Sequence, residues 1–282
     1  MSNHSAYRTF VDRLSKTKDS VREKSTKKRK SLGLRTAREN LDDLVDPGSF
    51  LEFGAFAVAA QRNRRDYEEL QLETSADGIL TGFCNINEDE VGEDNSHAVA
   101  IIYDYSVLAG SQGFFHHQKL DRICEKAEEF SLPVVIFTEG GGGRPGDTDV
   151  TTQIAGLHIP SFSTWARLTG KCLKIAVNNG YCFAGNAVLF GCSDFMIATK
   201  QSWIGMAGPA MIEGGGLGVY DPKEIGPAEE QYKNGVLDYL AEDEKEATFI
   251  AKKLLSYFQG NLSDWSIDCL LYTSPSPRDL WI

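Results

Sequence analysis

The residues best suited to chemistry in this sequence are main-chain amides in two glycine-rich segments. The first segment, residues 140–147 (GGGGRPGD), follows the apolar run PVVIF at 133–137. Consecutive glycines let the backbone approach a ligand closely and direct N–H groups at it. Two such donors aimed at one oxygen form an oxyanion hole, in which each donor is worth about 3 kcal/mol to a transition state.

The second segment, residues 180–187 (GYCFAGNA), again follows an apolar run, LKIAV at 173–177. It precedes a helical segment, so the amides of residues 184–186 are expected at a helix start, where partial positive charge favours a developing negative charge. We expect the two loops to converge on a single carbonyl oxygen.

Two alternatives stay open for the first loop. Gly141, Gly143 and Gly146 satisfy the G-x-G-x-x-G pattern of dinucleotide-binding turns, but no acidic residue ends a second strand about 20 residues later. A purely structural turn is the other alternative.

The sequence offers no convincing set of catalytic side chains. His116 and His117 are predicted on a helix far from either loop, and His158 stands alone before Pro160. The motifs of serine hydrolases, zinc proteases and P-loop proteins do not occur. Oxyanion loops without a base indicate a reaction in which a cofactor supplies the base.

The surrounding pattern predicts the elements that position these loops. Repeated strand, small-residue loop and helix units are typical of an α/β fold with ligand chemistry at the carboxyl ends of strands. Residues 1–31 form a basic polar segment, 32–267 a single domain, and 268–282 a tail that resembles a translated adapter remnant. Strands are predicted at 50–60, 78–86, 97–105, 133–137, 173–177 and 195–198, helices at 35–45, 112–130, 159–169 and 242–258, loops at 139–149, 178–186 and 203–218, and a charged connector at 61–75.

Composition excludes several classes of function. The net charge is −11, yet residues 1–38 carry twelve Lys and Arg against three Asp and Glu. The acidic remainder argues against nucleic acid as a partner, while the basic segment suits a solvated face, an anionic ligand or a targeting role. No apolar run is long enough for a membrane span. Six scattered cysteines, including Cys269, match no metal-binding pattern, and a reducing compartment is expected.

From about Lys27 to Gly260 the sequence resembles the carboxyltransferase component of biotin-dependent acyl-CoA carboxylases. The resemblance implies the N-terminal, acyl-CoA-binding domain of a crotonase-like (ClpP/crotonase, ββα spiral) fold, with carboxybiotin on a carrier protein or domain and a biotin carboxylase component as partners. It implies that carboxybiotin releases CO₂, that the ureido anion removes the α-proton of the thioester, and that the resulting enolate attacks CO₂. The segments that carry it are 36–55, 76–83, 140–144, 178–199, 205–229 and 234–247.

The resemblance also implies site residues. Gly142 and Gly143 match the first oxyanion loop and Gly185 with Asn186 the second, although GGGGR stands where many relatives have SGGAR and Asn186 replaces a common glycine. The expected substrate-binding residues are Gly141, Ala184 and, for the CoA phosphates, Arg38, Arg144 and Lys171.

Two alternatives to carboxyl transfer stay open. A crotonase-type hydratase or decarboxylase would need a carboxylate near the loops, with Glu139 or Glu213 as candidates, and a non-catalytic carboxylase subunit would bind no thioester. We expect a homo-oligomer without a metal, located in the cytoplasm or, in a eukaryote, in mitochondria.

Overall fold

The computed structural model describes residues 3–150 and 159–260, and this part of the chain contains one mixed sheet. His158, Cys269 and the predicted tail at 268–282 lie outside the described residues. The strands lie across the sheet in chain order, as β1 (Leu51–Phe53), β2 (Ile79–Asn85), β3 (His97–Tyr103), β4 (Val134–Phe137), β5 (Lys174–Phe183), β6 (Phe195–Gly205) and β7 (Tyr239–Ala241).

The pairs β1–β2 and β2–β3 are antiparallel, and every later pair is parallel. Alternate residues of β3 enter two different cores, with Val99 and Ile101 on one face and Ala100 and Ile102 on the other. A strand buried on both faces is apolar at every position. This explains why the continuous apolar runs of β3 and β4 were sufficient to predict strands.

Helices cover both faces of the sheet. The first core contains residues of α7, α8, α9 and α11, and the second contains residues of α3 and α12. Parallel neighbours need crossover connections, and here the helices between β3 and β7 supply them on one face. The helices are α1 (Asn3–Ser15), α2 (Glu23–Ser31), α3 (Ala37–Leu44), α4 (Tyr67–Glu73), α5 (Glu88–Val91), α6 (Glu93–Ser96), α7 (Phe114–Phe130), α8 (Ser161–Arg167), α9 (Gly185–Gly191), α10 (Pro209–Gly214), α11 (Ala228–Lys233) and α12 (Glu244–Ser256).

The basic N-terminal segment is helical and is held against the sheet by buried ion pairs. Arg22, between α1 and α2, lies 2.8 Å from Asp104, and Arg29 on α2 lies 2.8 Å from Glu139. Both arginines are 6% exposed. The boundary drawn at residue 31 stays a prediction, but charged side chains from before it reach into the domain.

The main difference from the predicted elements concerns residues 178–183, which were expected to form a loop and are the second half of β5. After a register shift between Asn178 and Gly180, Gly180 to Phe183 pair with residues 202–205 of β6. The Asn178 side chain donates to the Gly180 carbonyl at 2.9 Å. A polar side chain satisfied in this way can be buried in a strand, which residue type alone did not indicate.

Three further predictions were inaccurate in extent. Only Leu51–Phe53 of the predicted strand at 50–60 is a strand, because β1 is an edge strand paired over three residues. The connector at 61–75 contains α4, whose Leu70 packs in a small core with Val58 and Ala59. The third loop contains the end of β6 and α10. No helix within the two described ranges has the length and apolar character needed to cross a membrane.

Candidate active site

The first glycine turn, residues 140–143, follows the carboxyl end of β4 and is bonded to two neighbouring segments. The N–H of Gly140 donates to the Tyr181 carbonyl at 2.7 Å, and that of Gly141 donates to the Ala109 carbonyl at 3.0 Å. A Cβ at position 140 would lie 2.2 Å from Nδ2 of Asn186. Only glycine fits there, so the turn is packed directly against the start of α9.

The side chain of Asn186, fully buried at the start of α9, connects this turn to the one that ends β5. Its Oδ1 accepts a hydrogen bond from the N–H of Gly142 at 3.0 Å. Its Nδ2 donates to the carbonyl of Thr138 at 3.0 Å. A buried amide that uses both ends of its side chain fixes the distance between the two segments.

The two turns are in contact. A Cβ on Gly142, which has φ +88°, would lie 2.7 Å from the Cβ of Ala184 and 3.7 Å from the nitrogen of Gly185. Ala184 itself has φ +52° and joins β5 to α9. The two loops therefore meet as expected, and their convergence on a single carbonyl oxygen stays a prediction.

Only some of the amides in these turns are available to a ligand. The N–H of Gly142 is bonded to Asn186, and that of Ala184 donates to the carbonyl of Gly205 at 3.1 Å. Within the described part of the chain, the N–H groups of Gly143 and Gly185 have no acceptor. The donor role stays a prediction: among the predicted donors, the main-chain N–H groups of Gly143, Gly185 and Asn186 have no acceptor in the described part of the chain, whereas that of Gly142 is bonded to the Asn186 side chain.

The side chains nearest to Gly142 and Gly185 are neutral, whereas the charged residues Glu139 and Arg144 flank the first turn in the chain. Those nearest to Gly142 and Gly185 among the described residues belong to Ala184, Gln112 and Phe162. Main-chain amides can stabilise a negative oxygen but cannot themselves transfer a proton.

A cavity of about 700 Å³ lies beside the turns, at the ends of β3 and β4 and along the second half of β5. Tyr105, Tyr181 and Trp203 form an aromatic wall, with ring centroids of Tyr181 and Trp203 5.1 Å apart. The volume of the cavity suits a large organic ligand. The basic rim is formed by Lys24, Lys28 and Lys223. Lys28 belongs to the basic stretch for which an anionic ligand was one possibility, and the other five residues were not singled out from the sequence.

The carboxyl transferase domain profile matches residues 28–273 of this chain. The chain belongs to this family. The 12S subunit of methylmalonyl-CoA carboxyltransferase from Propionibacterium freudenreichii subsp. shermanii is 31% identical over 241 residues, which are 85% of this chain and 43% of that protein. The chain spans less than half the length of the curated relatives it matches.

Solved structures of carboxyl transferases match the fold. A single-chain, multi-domain long-chain acyl-CoA carboxylase is 50% identical with a TM-score of 0.88, over 93% of this chain and 26% of that one. Transcarboxylase 12S, solved as a hexamer with methylmalonyl-CoA bound, is 28% identical with a TM-score of 0.74, over 91% of this chain and 48% of that one. These matches confirm the predicted α/β, crotonase-like carboxyltransferase fold.

The three cations predicted for CoA phosphates are each paired within this carboxyl transferase chain. Arg38 binds both carboxylate oxygens of Glu52 at 3.0 and 3.2 Å. Lys171 is 55% exposed and pairs with Glu128 on the surface. None of Arg38, Lys171 and Arg144 lines the cavity beside the turns. Their assignment to CoA stays a prediction that this arrangement does not favour.

Arg144 belongs to a buried network behind the first turn. Its guanidinium lies 2.5 Å from Asp77 and donates to the carbonyl of Ser111 at 2.7 Å. Burial raises the pKa of Asp77, and the Arg144 charge opposes that rise. His116 also belongs to this network: its main-chain N–H donates to Oδ2 of Asp77 at 2.8 Å, and burial holds the pKa of its imidazole well below the usual value. These groups support the turn from behind.

Glu139 precedes the first glycine and lies at the floor of the cavity, 8% exposed. Burial raises its pKa to about 7, which the charge of Arg29 opposes. Glu213, the other carboxylate considered for acid–base chemistry, lies exposed on α10. The dinucleotide alternative lacks its structural context, because residues 144–150 continue as loop without opening a helix.

Proposed function

We propose that this chain forms the acyl-CoA side of a biotin-dependent carboxyltransferase, which moves a carboxyl group to the α-carbon of an acyl-CoA. The observation that carries the proposal is the pair of free amides, Gly143 and Gly185, on two turns that Asn186 locks together. Membership of the carboxyl transferase family supports it.

In the proposed reaction, the thioester carbonyl oxygen lies between the N–H groups of Gly143 and Gly185. As the α-proton leaves, the oxygen gains negative charge, so both donors bind the enolate more strongly than the ground state. Biotin, brought to the site as carboxybiotin on a carrier protein or domain, supplies the carboxyl group and the base. The neutral side chains nearest to Gly142 and Gly185 support a reaction whose base comes from outside this chain.

The cavity is proposed to hold the rest of the substrate. Lys24, Lys28 and Lys223 at its rim suit the phosphates of CoA, and the wall formed around Tyr181 and Trp203 offers flat apolar surface. A long-chain acyl-CoA is the first substrate to test, because the 50% identical carboxylase is named for that substrate.

We further propose that the chain works in an oligomer with biotin carboxyl carrier and biotin carboxylase components. The transcarboxylase 12S hexamer and the multi-domain carboxylase support this. The cytoplasm, or the mitochondrion in a eukaryote, suits the proposal because the cysteines within the described ranges are free thiols.

The test has two stages. The 282-residue chain is titrated with palmitoyl-CoA, propionyl-CoA and acetyl-CoA, and we expect saturable binding without turnover by the chain alone. The complete carboxylase is then assayed with a biotinylated carrier for transfer of labelled carboxylate to the bound thioester. Hydration of an enoyl-CoA without biotin would sink the proposal in favour of a hydratase, and absence of thioester binding would favour a non-catalytic subunit.

A further inference from the structure

The ion pair between Arg29 and Glu139 joins the N-terminal helix α2 to the residue that begins the first glycine turn. The Arg29 guanidinium lies 2.8 Å from Oε2 of Glu139, and its Nε donates to the Arg35 carbonyl at 2.6 Å. Side-chain exposure is 7% for the arginine and 11% for the glutamate. The pair is therefore shielded from solvent. The attraction between two charges is stronger in such surroundings than in water, so it fixes the positions of both side chains more firmly.

The Glu139 side chain is held on its other side by β5. A Cβ on Gly180, which has φ +95°, would lie 2.3 Å from Oε1 of Glu139, so the carboxylate lies directly on the bare backbone of Gly180. The next residue along β5, Tyr181, accepts the N–H of Gly140 at 2.7 Å. Glu139 thus contacts both segments that carry the turns. A shift of its side chain would therefore displace both segments.

The arginine has a second carboxylate within reach. Its Nη2 lies 3.7 Å from Glu244 on α12, while Nη1 has no acceptor among the described residues. Two carboxylates compete for one guanidinium, since Asp104 nearby is already paired with Arg22. A proton on Glu139 would remove its charge and leave Glu244 as the stronger partner.

We propose that Arg29 and Glu139 are positioning residues that hold the first glycine turn in its catalytic place, and that protonation of Glu139 breaks the pair. The inference rests on the proposed function, because it assigns the position of the turn to carboxyl transfer. The raised pKa of Glu139, about 7, places the transition near neutrality. The titratable and charged groups facing Glu139 are Arg29 on α2, Asp104 and Tyr105 after β3, Cys182 on β5 and Glu244 on α12, with Lys24, Lys28, Glu73, Tyr181 and Lys223 around the cavity.

The first experiment needs no catalysis. Hydrogen exchange of the Gly140 to Gly142 amides is followed in the 282-residue chain from pH 6 to 8 and expressed as protection factors, which removes the intrinsic pH dependence. We expect protection to rise about tenfold as the pH drops through about 7, because the pKa of Glu139 is higher in the closed turn than in an opening that exposes it. Tenfold is the factor that one pH unit on a single proton provides. In Glu139→Gln the profile should be flat.

A matched control separates this effect from loss of any arginine–carboxylate pair. Arg38→Met breaks the pair with Glu52 without touching the turn, so its exchange profile should keep the wild-type transition. Arg29→Lys retains the positive charge and should keep part of the wild-type transition. A wild-type profile without a transition, or one that survives in Glu139→Gln, overturns the inference.

The second experiment measures carboxyl transfer in the complete carboxylase. Glu139→Gln and Arg29→Met should lower kcat by about 10²-fold, as displacements near 1 Å do, with little change in KM for the acyl-CoA. The kcat of the wild type should rise through a pH of about 7, and this limb should be absent in Glu139→Gln. If the wild type transfers no carboxylate, the proposed function fails while the exchange data still decide the role of the pair.

Discussion

The N–H of Gly142 donates to Oδ1 of Asn186 at 3.0 Å, and this bond ties the loop after β4 to the start of α9. The amide of Gly142 is used in this way, whereas the N–H of the neighbouring Gly143 has no acceptor among the described residues. The same bond holds Gly185 next to the first glycine turn, since Asn186 follows Gly185 in the chain. The side chain of Asn186 therefore has a specific structural role here.

Replacing Asn186 by alanine should separate the turns. The variant leaves the buried N–H of Gly142 and the carbonyl of Thr138 without partners, so we expect the free energy of unfolding to fall by about 2–4 kcal/mol. Acyl-CoA affinity should fall as well, measured by calorimetry at a temperature where the variant is folded.

Asn87→Ala provides the control for that measurement. Asn87 is also buried and donates to the Lys252 carbonyl and to Gln259, both at 2.9 Å, but it lies far from the turns in the fold. It should lose similar stability and keep wild-type affinity. Equal affinity losses in the two variants would contradict a specific role for Asn186.

Neighbouring glycines in the first turn should respond differently to substitution. Gly142→Val would place a branched side chain at φ +88° against Ala184, so we expect the turn to be displaced and carboxyl transfer by the complete carboxylase to be abolished. Gly143→Ala meets nothing within 4 Å and keeps its N–H, so a Cβ there leaves the donor in place.

Circular dichroism and activity measured together test this difference. Both variants should keep the folded spectrum, and the activity of Gly143→Ala should stay within about tenfold of wild type, the equivalent of 1.4 kcal/mol. Gly185→Val should resemble Gly142→Val, because a Cβ at 185 would lie 2.2 Å from Oε1 of Gln112. Full activity in both valine variants would remove the oxyanion assignment.

The sequence was sufficient for the strands and helices with strong apolar patterns and for the meeting of the two loops. Apolar runs such as 133–137 identify a buried strand because both of its faces are covered. The partners of charged side chains were not predictable in the same way. Arg29 meets Glu139 over a separation of 110 positions in the chain, and only the folded sheet brings them within 2.8 Å.

The assignment of cations shows the same limit. Arg144 follows the glycines directly, which made it a candidate for phosphate, yet its charge is committed to Asp77 behind the turn. Two lysines of the cavity rim, Lys24 and Lys28, lie on α2, and the third is Lys223. No local sequence pattern connects these two segments. The tertiary fold determines which distant charges pair, and local residue type and spacing do not predict these pairs.

Arg144 and Lys171 should differ sharply in their effect on stability. Arg144→Met leaves Asp77, which is 0% exposed, without its counter-charge, so we expect a loss of about 3–5 kcal/mol in the free energy of unfolding. Lys171→Met removes an exposed surface pair with Glu128 and should cost less than about 1 kcal/mol.

Urea denaturation followed by fluorescence measures both variants, with acyl-CoA titration as the second readout. If Arg144 holds the turn, Arg144→Met should lower the free energy of unfolding. Its affinity for acyl-CoA should then fall only to the extent that the variant unfolds. If Arg144→Met were as stable as wild type but failed to bind CoA esters, the phosphate role would be restored and the scaffold role rejected.

The stability of the wild type relative to Glu139→Gln should depend on pH in a defined direction. The pKa of Glu139 is raised from 4.5 to about 7 in the folded chain, so between these values the folded state binds more protons than the unfolded state. Stability contributed by this group is therefore present at low pH and is lost as the pH rises from about 4.5 to 7. The full change is on the order of 3 kcal/mol, at about 1.4 kcal/mol per pH unit.

Urea denaturation of both proteins at pH 5, 6, 7 and 8 gives the difference directly. Other groups that titrate in this range, including His117, whose pKa burial lowers to about 4, are common to both proteins and cancel in the difference. The wild type should lose stability relative to Glu139→Gln up to pH 7 and then level off. A difference that stays constant or rises with pH would mean that Glu139 remains ionised in the fold, and the charge balance around Arg29 would then need a different explanation.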